Sequence, residues 1–376
     1  APLAMEGLLA FFLESTFLGM WIFGWDRLPK KLHLASIWLA ATGTMLSAYF
    51  ILAANAWMQH PVGYKMNPEK GRAELTSIVD VLTQKTALAT FTHTMTLAAF
   101  TSGAFLVGVS GYLLAKKRHE EVLKPTLKLG LVTVLISFLL VGISGDWSAR
   151  VMTAQQPMKM AAAEALYNTE SGAPFSLFTV GTLDGSRSVF QIGIPKFLSF
   201  MSTGNVNGTV EGINDLQAKY VEQYGPGNYK PNIPMAYWGF RLMIGFGAIA
   251  FLFALMTLYR LRKGSVPTAK WFVPAMVWMP FLPLLANSFG WIFTETARQP
   301  WTVFGLAKTA DGVSPQVGTA SLWITLIGYI LLYGVLALIE VKLMLRAIKL
   351  GPDDQIHYNE PTEIGGSSDK PLAMSY

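Results

Sequence analysis

The chain has 376 residues, of which 52% are hydrophobic and only 14% are charged. Because soluble domains usually contain about 25% charged residues, this composition excludes an ordinary water-soluble fold. The sequence has no cysteine, which excludes disulfides, thiolate metal sites and iron–sulfur clusters. The net charge of +6 does not indicate nucleic acid binding, because the basic residues of a membrane protein collect in particular loops.

Apolar stretches recur along the chain, and each is about long enough to cross a bilayer as a helix of roughly 20 residues. Seven spans are predicted, at 2–24, 31–56, 86–115, 127–145, 234–259, 271–293 and 320–346. The predicted fold class is therefore an all-α polytopic membrane protein with a long external loop. Since the chain opens directly in a span and without methionine, we expect a further segment to precede this numbering.

The connections divide the chain into regions and set its orientation. Alternate short connections are basic, as in KKRHEEVLKPTLK, and the positive-inside rule places such loops in the cytoplasm. The large connection then lies on the outer face and, because of its length, is predicted to be a binding loop. The predicted regions are four spans in 1–145, the external loop 146–233, three spans in 234–350, and a flexible cytoplasmic tail 351–376.

The first span carries two acids, Glu6 and Glu14, in AMEGLLAFFLEST. At about 100° and 1.5 Å per residue, they lie within about 80° of each other and roughly 12 Å apart along the helix. Acids inside a membrane usually face the bundle interior and serve ions, protons or a cofactor. The alternative is a structural pair of buried acids that bind hydroxyl groups such as that of Ser15.

Of the five histidines, only His93, in TALATFTHTMTLAAF, is expected to lie within a span. A lone histidine there is often a hydrogen-bonded packing residue, but haem iron also takes His or Met as axial ligands. Met243 is predicted at a similar depth on another helix that begins outside. Glu6 and Glu295 lie near the outer ends of their helices, so four candidate ligands collect on one side of the membrane.

Basic and aromatic residues accompany these candidates. Arg241 comes two residues before Met243, where a guanidinium could bind a haem propionate or a buried carboxylate. Arg298 and Trp301, in ARQPW, are candidates for similar propionate binding and packing.

In these residues the chain resembles subunit I of the cytochrome bd-type quinol oxidases. The resemblance extends through almost all of the chain. It is carried, in order, by APLAMEGLLAFFLESTF, GWDRLPKKLH, LSAYFILAANAWMQHPVG, FTHT, KMAAAE, FRLMIGFG, GWIFTETARQPW and KLGP. Any one block would be weak evidence, but their order and spacing together are specific.

The resemblance implies two haems b, one low-spin and one high-spin, and one haem d. His93 and Met243 match the axial ligands of the low-spin haem b, and Arg241 matches the arginine beside it. Glu295 matches the carboxylate ligand of the high-spin haem b. Trp291 matches a tryptophan packed among the haems.

The resemblance also implies a proton route and a quinol site. Glu6 matches a carboxylate at haem d, although Glu6 and Glu295 could exchange roles between the two high-spin sites. Glu14 matches the preceding acid of the proton route, with Ser15 and Ser47 as neighbouring polar positions.

Two residues of KMAAAE, Lys159 and Glu164, match the quinol-oxidation residues of the external loop, here in its shorter form. They lie on a stretch that is predicted to be amphipathic and interfacial. The alternative is a surface ion pair worth less than about 1 kcal/mol.

The implied function is an electrogenic quinol:oxygen oxidoreductase of the bacterial plasma (inner) membrane. Quinol would be oxidised at the outer face, and oxygen would be reduced to water at haem d with proton uptake from the cytoplasm. The implied partners are a second, similar subunit, optional single-helix subunits, quinol, O2 and lipid, with no nucleic acid. The family has nine helices, so two helices and a haem-ligating histidine are expected to precede this numbering.

Two alternatives from other classes remain open on the sequence. One is a haem b subunit that transfers electrons to or from quinone and has no oxygen site. The other is a proton- or cation-coupled transporter in which Glu6 and Glu14 bind the ion; such proteins are often built from inverted repeats and broken helices.

Overall fold

The computed structural model describes residues 1–182, 186–262 and 270–352. In chain order the elements are α1 (Pro2–Met5), the π-helical turn Glu6–Ala10, α2 (Phe11–Phe23), α3 (Lys30–Gln59), β1 (Tyr64–Asn67), β2 (Arg72–Leu75), α4 (Ile78–Thr83), α5 (Lys85–Ala115), α6 (Glu120–Gln155), α7 (Pro157–Glu164), β3 (Glu170–Ser171), β4 (Phe175–Gly181), β5 (Ser188–Ile194), α8 (Phe197–Thr203), β6 (Thr209–Val210), α9 (Ile213–Tyr224), α10 (Ile233–Arg262), α11 (Phe272–Trp278), α12 (Phe281–Thr296), β7 (Trp301–Val303), β8 (Ala307–Lys308), the 3₁₀ turn Thr309–Asp311 and α13 (Thr319–Leu350).

Long apolar helices dominate the fold, as predicted. Within the described ranges, six helices are long and apolar enough to cross a membrane, or seven if the bent pair of α11 and α12 forms one span. The two halves of that pair meet at 41°, where a single straight span was predicted. The bend lies at Met279 and Pro280, and proline cannot supply the amide hydrogen that a continuous helix needs there.

The fourth span is longer than predicted. Its helix α6 continues to Gln155, so residues 146–155 belong to the helix and not to the external connection. This extension is stabilised by an Arg150–Asp146 ion pair at 2.9 Å, one turn apart on the helix. The non-helical backbone of Gln156, immediately before Pro157, then ends α6.

The description as all-α holds for the spans but not for the connections. The described connections contain four two-stranded antiparallel sheets, β1–β2, β3–β6, β4–β5 and β7–β8. In the longest hairpin, FSLFTVG pairs with SVFQIGI, and both segments are rich in the aromatic and β-branched residues that favour strands. Two of the four sheets, β3–β6 and β4–β5, lie with the short helices α7, α8 and α9 in the folded segment between α6 and α10.

The N-terminal span packs closely against α3. A Cβ atom at Gly43 would lie 2.8 Å from the backbone nitrogen of Glu14, so only glycine allows this approach. His33 lies in the first turn of α3, so the expectation that His93 is the one histidine within a span is wrong. The His33 ring is 2.9 Å from the carbonyl oxygen of Trp21 and packs against Trp25.

The main core of the bundle lies between α5, α6, α10 and α11, where residues such as Phe100, Leu127 and Met276 are fully buried. In contrast, α13 buries none of its residues against the rest of the described chain. Its apolar surface suits contact with lipid or another chain. The predicted flexible tail lies, from residue 353 onward, outside the described residues.

Candidate functional site

A chamber of about 470 Å³ lies between the spans and the segment that connects α6 to α10. This volume is within the usual range for ligand and cofactor sites, about 300–1,000 Å³. Its walls are mainly apolar and come from α5, α6, α10 and α12, with α7 and α8 above them. His93 on α5 and Met243 on α10 both line it, so the structure brings together the two residues predicted as a ligand pair.

The His93 ring is held from α6. Its Nδ1 atom lies 3.1 Å from Ser144 Oγ, and that hydroxyl also bonds to the carbonyl oxygen of Val141 at 3.2 Å. A fixed partner on one imidazole nitrogen orients the ring and leaves Nε2, on its far side, as the nitrogen for a metal. A Cβ atom at the neighbouring Gly145 would lie 3.5 Å from His93 Cε1, so the absence of a side chain at Gly145 leaves space beside the ring.

The Met243 thioether packs against a second glycine. A Cβ atom at Gly290 on α12 would lie 2.9 Å from Met243 Sδ, so any larger residue there would displace the sulfur. An imidazole and a thioether lining one apolar chamber form a donor set that haem iron accepts. The residues present therefore fit the low-spin haem b that the resemblance implies.

Arg241 binds a buried carboxylate, one of the two roles predicted for it. Its Nη2 atom lies 2.6 Å from Glu164 Oε2, and its guanidinium stacks over Phe175 and Tyr237 at 4.5 and 4.7 Å from the ring centres. Among the described residues, Arg241 Nε and Nη1 and Glu164 Oε1 have no hydrogen-bond partner although they are buried. Such atoms normally find a partner, so they are available to a bound polar group.

Lys159 and Glu164 are far more buried than the sequence suggested. Their helix α7 is buried at every residue from 158 to 164, with Lys159 4% and Glu164 1% exposed. The predicted amphipathic surface helix is therefore wrong, because α7 packs against the spans α6 and α10 and also against α9. The surface ion-pair alternative is also wrong: Lys159 Nζ bonds to Gln59 Oε1 at 2.8 Å, whereas Glu164 binds Arg241.

Burial brings both side chains close to a change of charge at neutral pH. Burial lowers the pKa of Lys159 to about 7, against the opposing attraction of the Glu295 carboxylate. Burial raises the pKa of Glu164 to about 7, although the Arg241 charge opposes this shift. Each group can therefore gain or lose a proton under physiological conditions, as acid–base chemistry requires.

Glu295 lies at the end of α12 between two polar partners. Asn55 Nδ2 donates to Glu295 Oε1 at 3.0 Å, and Arg298 Nη2 lies 2.5 Å from Oε2. Arg298 also donates to the carbonyl oxygen of Thr302 at 3.3 Å. The Arg298 guanidinium thus binds this protein carboxylate, where a haem propionate was predicted.

The two tryptophans near Glu295 differ in environment. Trp301 is buried and stacks on Tyr229 with ring centres 5.6 Å apart, which agrees with the predicted packing role. Trp291 is 39% exposed on α12. It does not line the chamber, so its surface remains open to other groups of the assembly.

The acids of the first span both face α3. Glu6 is buried, and Ser47 Oγ donates to Glu6 Oε1 at 2.8 Å. The backbone of Glu14 lies against Gly43, one turn from Ser47 along α3. The Ser15 hydroxyl is exposed and donates to the carbonyl oxygen of Phe11 at 2.7 Å, so its bond goes to its own helix.

Three polar residues at the site were missed by the sequence analysis, namely Asn55, Gln59 and Ser144. Asn55 and Gln59 follow Ser47 by eight and twelve residues. Asn55 and Gln59 are four residues apart and are therefore neighbours on the helix surface, and this pair of amides in an apolar span was the available signal. No sequence signal pointed to Ser144, because only the packing of α5 on α6 shows that it contacts His93.

Comparisons with known proteins agree with this site. The family model described as cytochrome bd terminal oxidase subunit I matches residues 1–352. The chain is 41% identical to cytochrome bd ubiquinol oxidase subunit 1 of Bacillus subtilis (strain 168), over 96% of this chain and 77% of the relative. It is 30% identical to cytochrome bd-II ubiquinol oxidase subunit 1 of Escherichia coli (strain K12), over 97% and 82% of the two chains.

A solved structure has the same fold. The bd oxidase from Geobacillus thermodenitrificans superposes with a TM-score of 0.81 at 28% identity, covering 93% of this chain and 78% of that chain. Sequence and fold therefore agree on a bacterial membrane enzyme, a quinol oxidase of the respiratory chain for which haem cofactors and a second subunit are expected. This excludes the transporter alternative, and the chain belongs to the cytochrome bd terminal oxidase subunit I family.

Proposed function

We propose that this chain oxidises quinol at the outer face of the plasma membrane and reduces oxygen to water with protons from the cytoplasm, which makes the reaction electrogenic. It does so with a second, similar subunit, and residues 156–232 form the external quinol loop. The observation that carries this proposal is the shared chamber. His93, Met243 and Lys159 all line it, so the ligand pair and a buried acid–base group face one space.

Haem supplies the electron transfer and the oxygen chemistry, and the chain supplies the ligands and the protein environment. His93 and Met243 are the proposed ligands of a low-spin haem b. Glu295 is the proposed ligand of the high-spin haem b, with Arg298 as its counter-charge. Glu6 is the proposed carboxylate at haem d, and the exposed ring of Trp291 is available to pack among the cofactors.

Lys159 and Glu164 are the proposed quinol-binding and proton-accepting residues. Protonated Lys159 can donate a hydrogen bond to a quinol oxygen, and ionised Glu164 can accept the proton that the quinol hydroxyl releases. Glu164 Oε1 is buried and without a partner among the described residues, so it is the acceptor atom. Arg241 holds the other oxygen of Glu164 at 2.6 Å and fixes the direction in which Oε1 points.

Glu14 and Glu6 are the proposed last carriers of the protons consumed in oxygen reduction. Both face α3, and Ser47 holds the Glu6 carboxylate at 2.8 Å. Glu6 lies in a π-helical turn, a feature that is frequent at functional sites.

A visible absorption spectrum of the purified complex tests the whole proposal. We expect the red band of a chlorin, which identifies haem d, together with the bands of low-spin and high-spin haem b. Bands of haem b without the chlorin band would favour the alternative of an electron-transfer subunit without an oxygen site. A complex free of haem would contradict the proposal altogether.

Glu14→Gln should slow oxygen consumption by about 100-fold, the lower end of what loss of a proton-transferring group costs. Glutamine keeps the shape and hydrogen-bonding capacity but cannot ionise. Quinol-driven reduction of the bound haem b should persist, because the quinol residues are intact. Oxygen uptake and the haem b absorbance change measure these two steps separately.

Glu222→Gln is the matched control for this substitution, because Glu222 is exposed on α9 in the external segment. It should leave both rates unchanged. Normal oxygen consumption by Glu14→Gln would show that Glu14 is not an obligatory proton carrier.

A further inference from the structure

A hydrogen-bonded series of four side chains leads from Lys159, in the proposed quinol region, to Glu295. Lys159 Nζ donates to Gln59 Oε1 at 2.8 Å. Gln59 Nε2 donates to Asn55 Oδ1 at 2.6 Å, one turn back along α3. Asn55 Nδ2 then donates to Glu295 Oε1 at 3.0 Å. Two neutral amides thus connect an ammonium on α7 with a carboxylate on α12.

The direction of all three hydrogen bonds in this series is fixed by its two end residues, Lys159 and Glu295. The Lys159 ammonium can only donate, so Gln59 must present its oxygen to Lys159. The ionised Glu295 carboxylate can only accept, so Asn55 must present its NH₂ group to Glu295. All three bonds therefore donate in the same sense, from cation to anion, an arrangement in which neighbouring bonds polarise one another.

Gln59 is the residue through which α3 holds the start of α7. It is 6% exposed and is the last residue of α3. Its backbone oxygen accepts a hydrogen bond from Gln156 Nε2 at 2.8 Å, and Gln156 is the residue that precedes α7. Gln59, Gln156 and Lys159 all line the chamber. The backbone oxygen and the side-chain oxygen of Gln59 thus contact Gln156 and Lys159, at the start of α7.

We infer that Gln59 is a positioning residue for quinol binding. Its side-chain oxygen holds the Lys159 ammonium at the chamber wall, and its NH₂ group is held in turn by Asn55, which is bonded to Glu295. This inference rests on the proposed role of Lys159 toward quinol. Gln59 itself does not touch the reacting atoms. Its loss should therefore weaken quinol binding while the rate at saturating quinol is retained.

Gln59→Leu in the purified complex should raise the KM for quinol about tenfold, the order expected for losing a hydrogen bond to a charged group. The kcat should stay within about twofold, and the visible spectrum should be that of the parent complex. Gln59→Glu keeps an oxygen that accepts from Lys159 but loses the NH₂ group that donates to Asn55 Oδ1, so its KM should lie clearly below that of Gln59→Leu and above that of the parent.

Gln84→Leu is the matched control. Gln84 is also buried at 8% exposure, but its NH₂ group donates to the carbonyl oxygen of Val81 at 3.2 Å, and it does not line the chamber. Its KM should remain that of the parent. If Gln59→Leu does not assemble, Gln59→Asn takes its place, because the shorter side chain keeps the amide but cannot reach Lys159.

Lys159→Met separates this inference from the proposed function. An unchanged KM in Lys159→Met would overturn the quinol role of Lys159 itself. A raised KM in Lys159→Met with an unchanged KM in Gln59→Leu would overturn only the positioning role of Gln59. A KM in Gln59→Glu as high as that in Gln59→Leu would also overturn it, because the acceptor oxygen would then not be what matters.

Discussion

Met243→Leu should remove the low-spin haem b signal from the purified complex, while the signals of the high-spin haem b and haem d remain. Leucine and methionine have similar volumes, and such exchanges usually cost less than about 1.5 kcal/mol. The packing beside Gly290 should therefore survive, but the sulfur that can bind iron is lost. Reduced-minus-oxidised visible spectra and electron paramagnetic resonance measure the spin state directly.

Met279→Leu is the matched control for this prediction. Met279 is fully buried in the main core and does not line the chamber. The same exchange there should leave every haem signal unchanged. An intact low-spin signal in Met243→Leu would show that another residue is the sixth ligand, and the pairing of Met243 with His93 would then be wrong.

The spans were predictable from sequence because hydrophobicity over about 20 residues is a local property. Their ends were less predictable. The connection between α6 and α10 begins ten residues later than the hydropathy boundary, since α6 continues through polar residues to Gln155. Helix propensity, one ion pair and the stop before Pro157 determine that end, and hydropathy reports none of them.

That His93 and Met243 line one chamber was predictable for a related reason. His93 and Met243 are rare chemical types at matching depth on two helices that begin on the same face, and helical rise converts sequence position into depth. The environment of Lys159 was not predictable in this way. Whether α7 lies on a surface or inside depends on how residues 165–232 fold over it, which is a property of tertiary packing.

The polar contacts of the site lay beyond the sequence for the same reason. Asn55 and Gln59 could be seen as a polar face of α3, but their partners Glu295 and Lys159 are 240 and 100 residues away in the chain. The π-helical turn at Glu6 is another example. A uniform 100° per residue placed both acids toward one side, which is correct, but gave no sign of the wider turn that begins at Glu6.

Glu164→Gln should lower kcat/KM for quinol by about 100-fold near neutral pH, the order typical of losing a general base. Glutamine can still accept hydrogen bonds from Ser176 and Arg241 at the position where the carboxylate does so now, but it cannot take up the quinol proton. Glu164→Ala is a less informative variant, because it would leave the Arg241 charge buried without its partner. The haem spectrum of Glu164→Gln should be normal, and loss of haem would contradict the assignment of Glu164 to quinol.

The pH dependence gives this prediction its sharpest form. Burial raises the pKa of Glu164 to about 7, so the carboxylate that must accept a proton is already protonated below pH 7, and the parent kcat/KM should fall as the pH decreases. Burial lowers the pKa of Lys159 to about 7, so the ammonium that binds quinol is lost above pH 7, and kcat/KM should fall again on the alkaline side.

The parent profile should therefore be bell-shaped with a maximum near neutral pH. Glu164→Gln should remove the acid limb and keep the alkaline one, whereas Lys159→Met should do the opposite. Lys159 and Glu164 have different hydrogen-bond partners, Gln59 and Arg241. A substitution at one of them should therefore change its own limb of the profile and leave the other limb unchanged. An acid limb that persists in Glu164→Gln would mean that another group accepts the quinol proton.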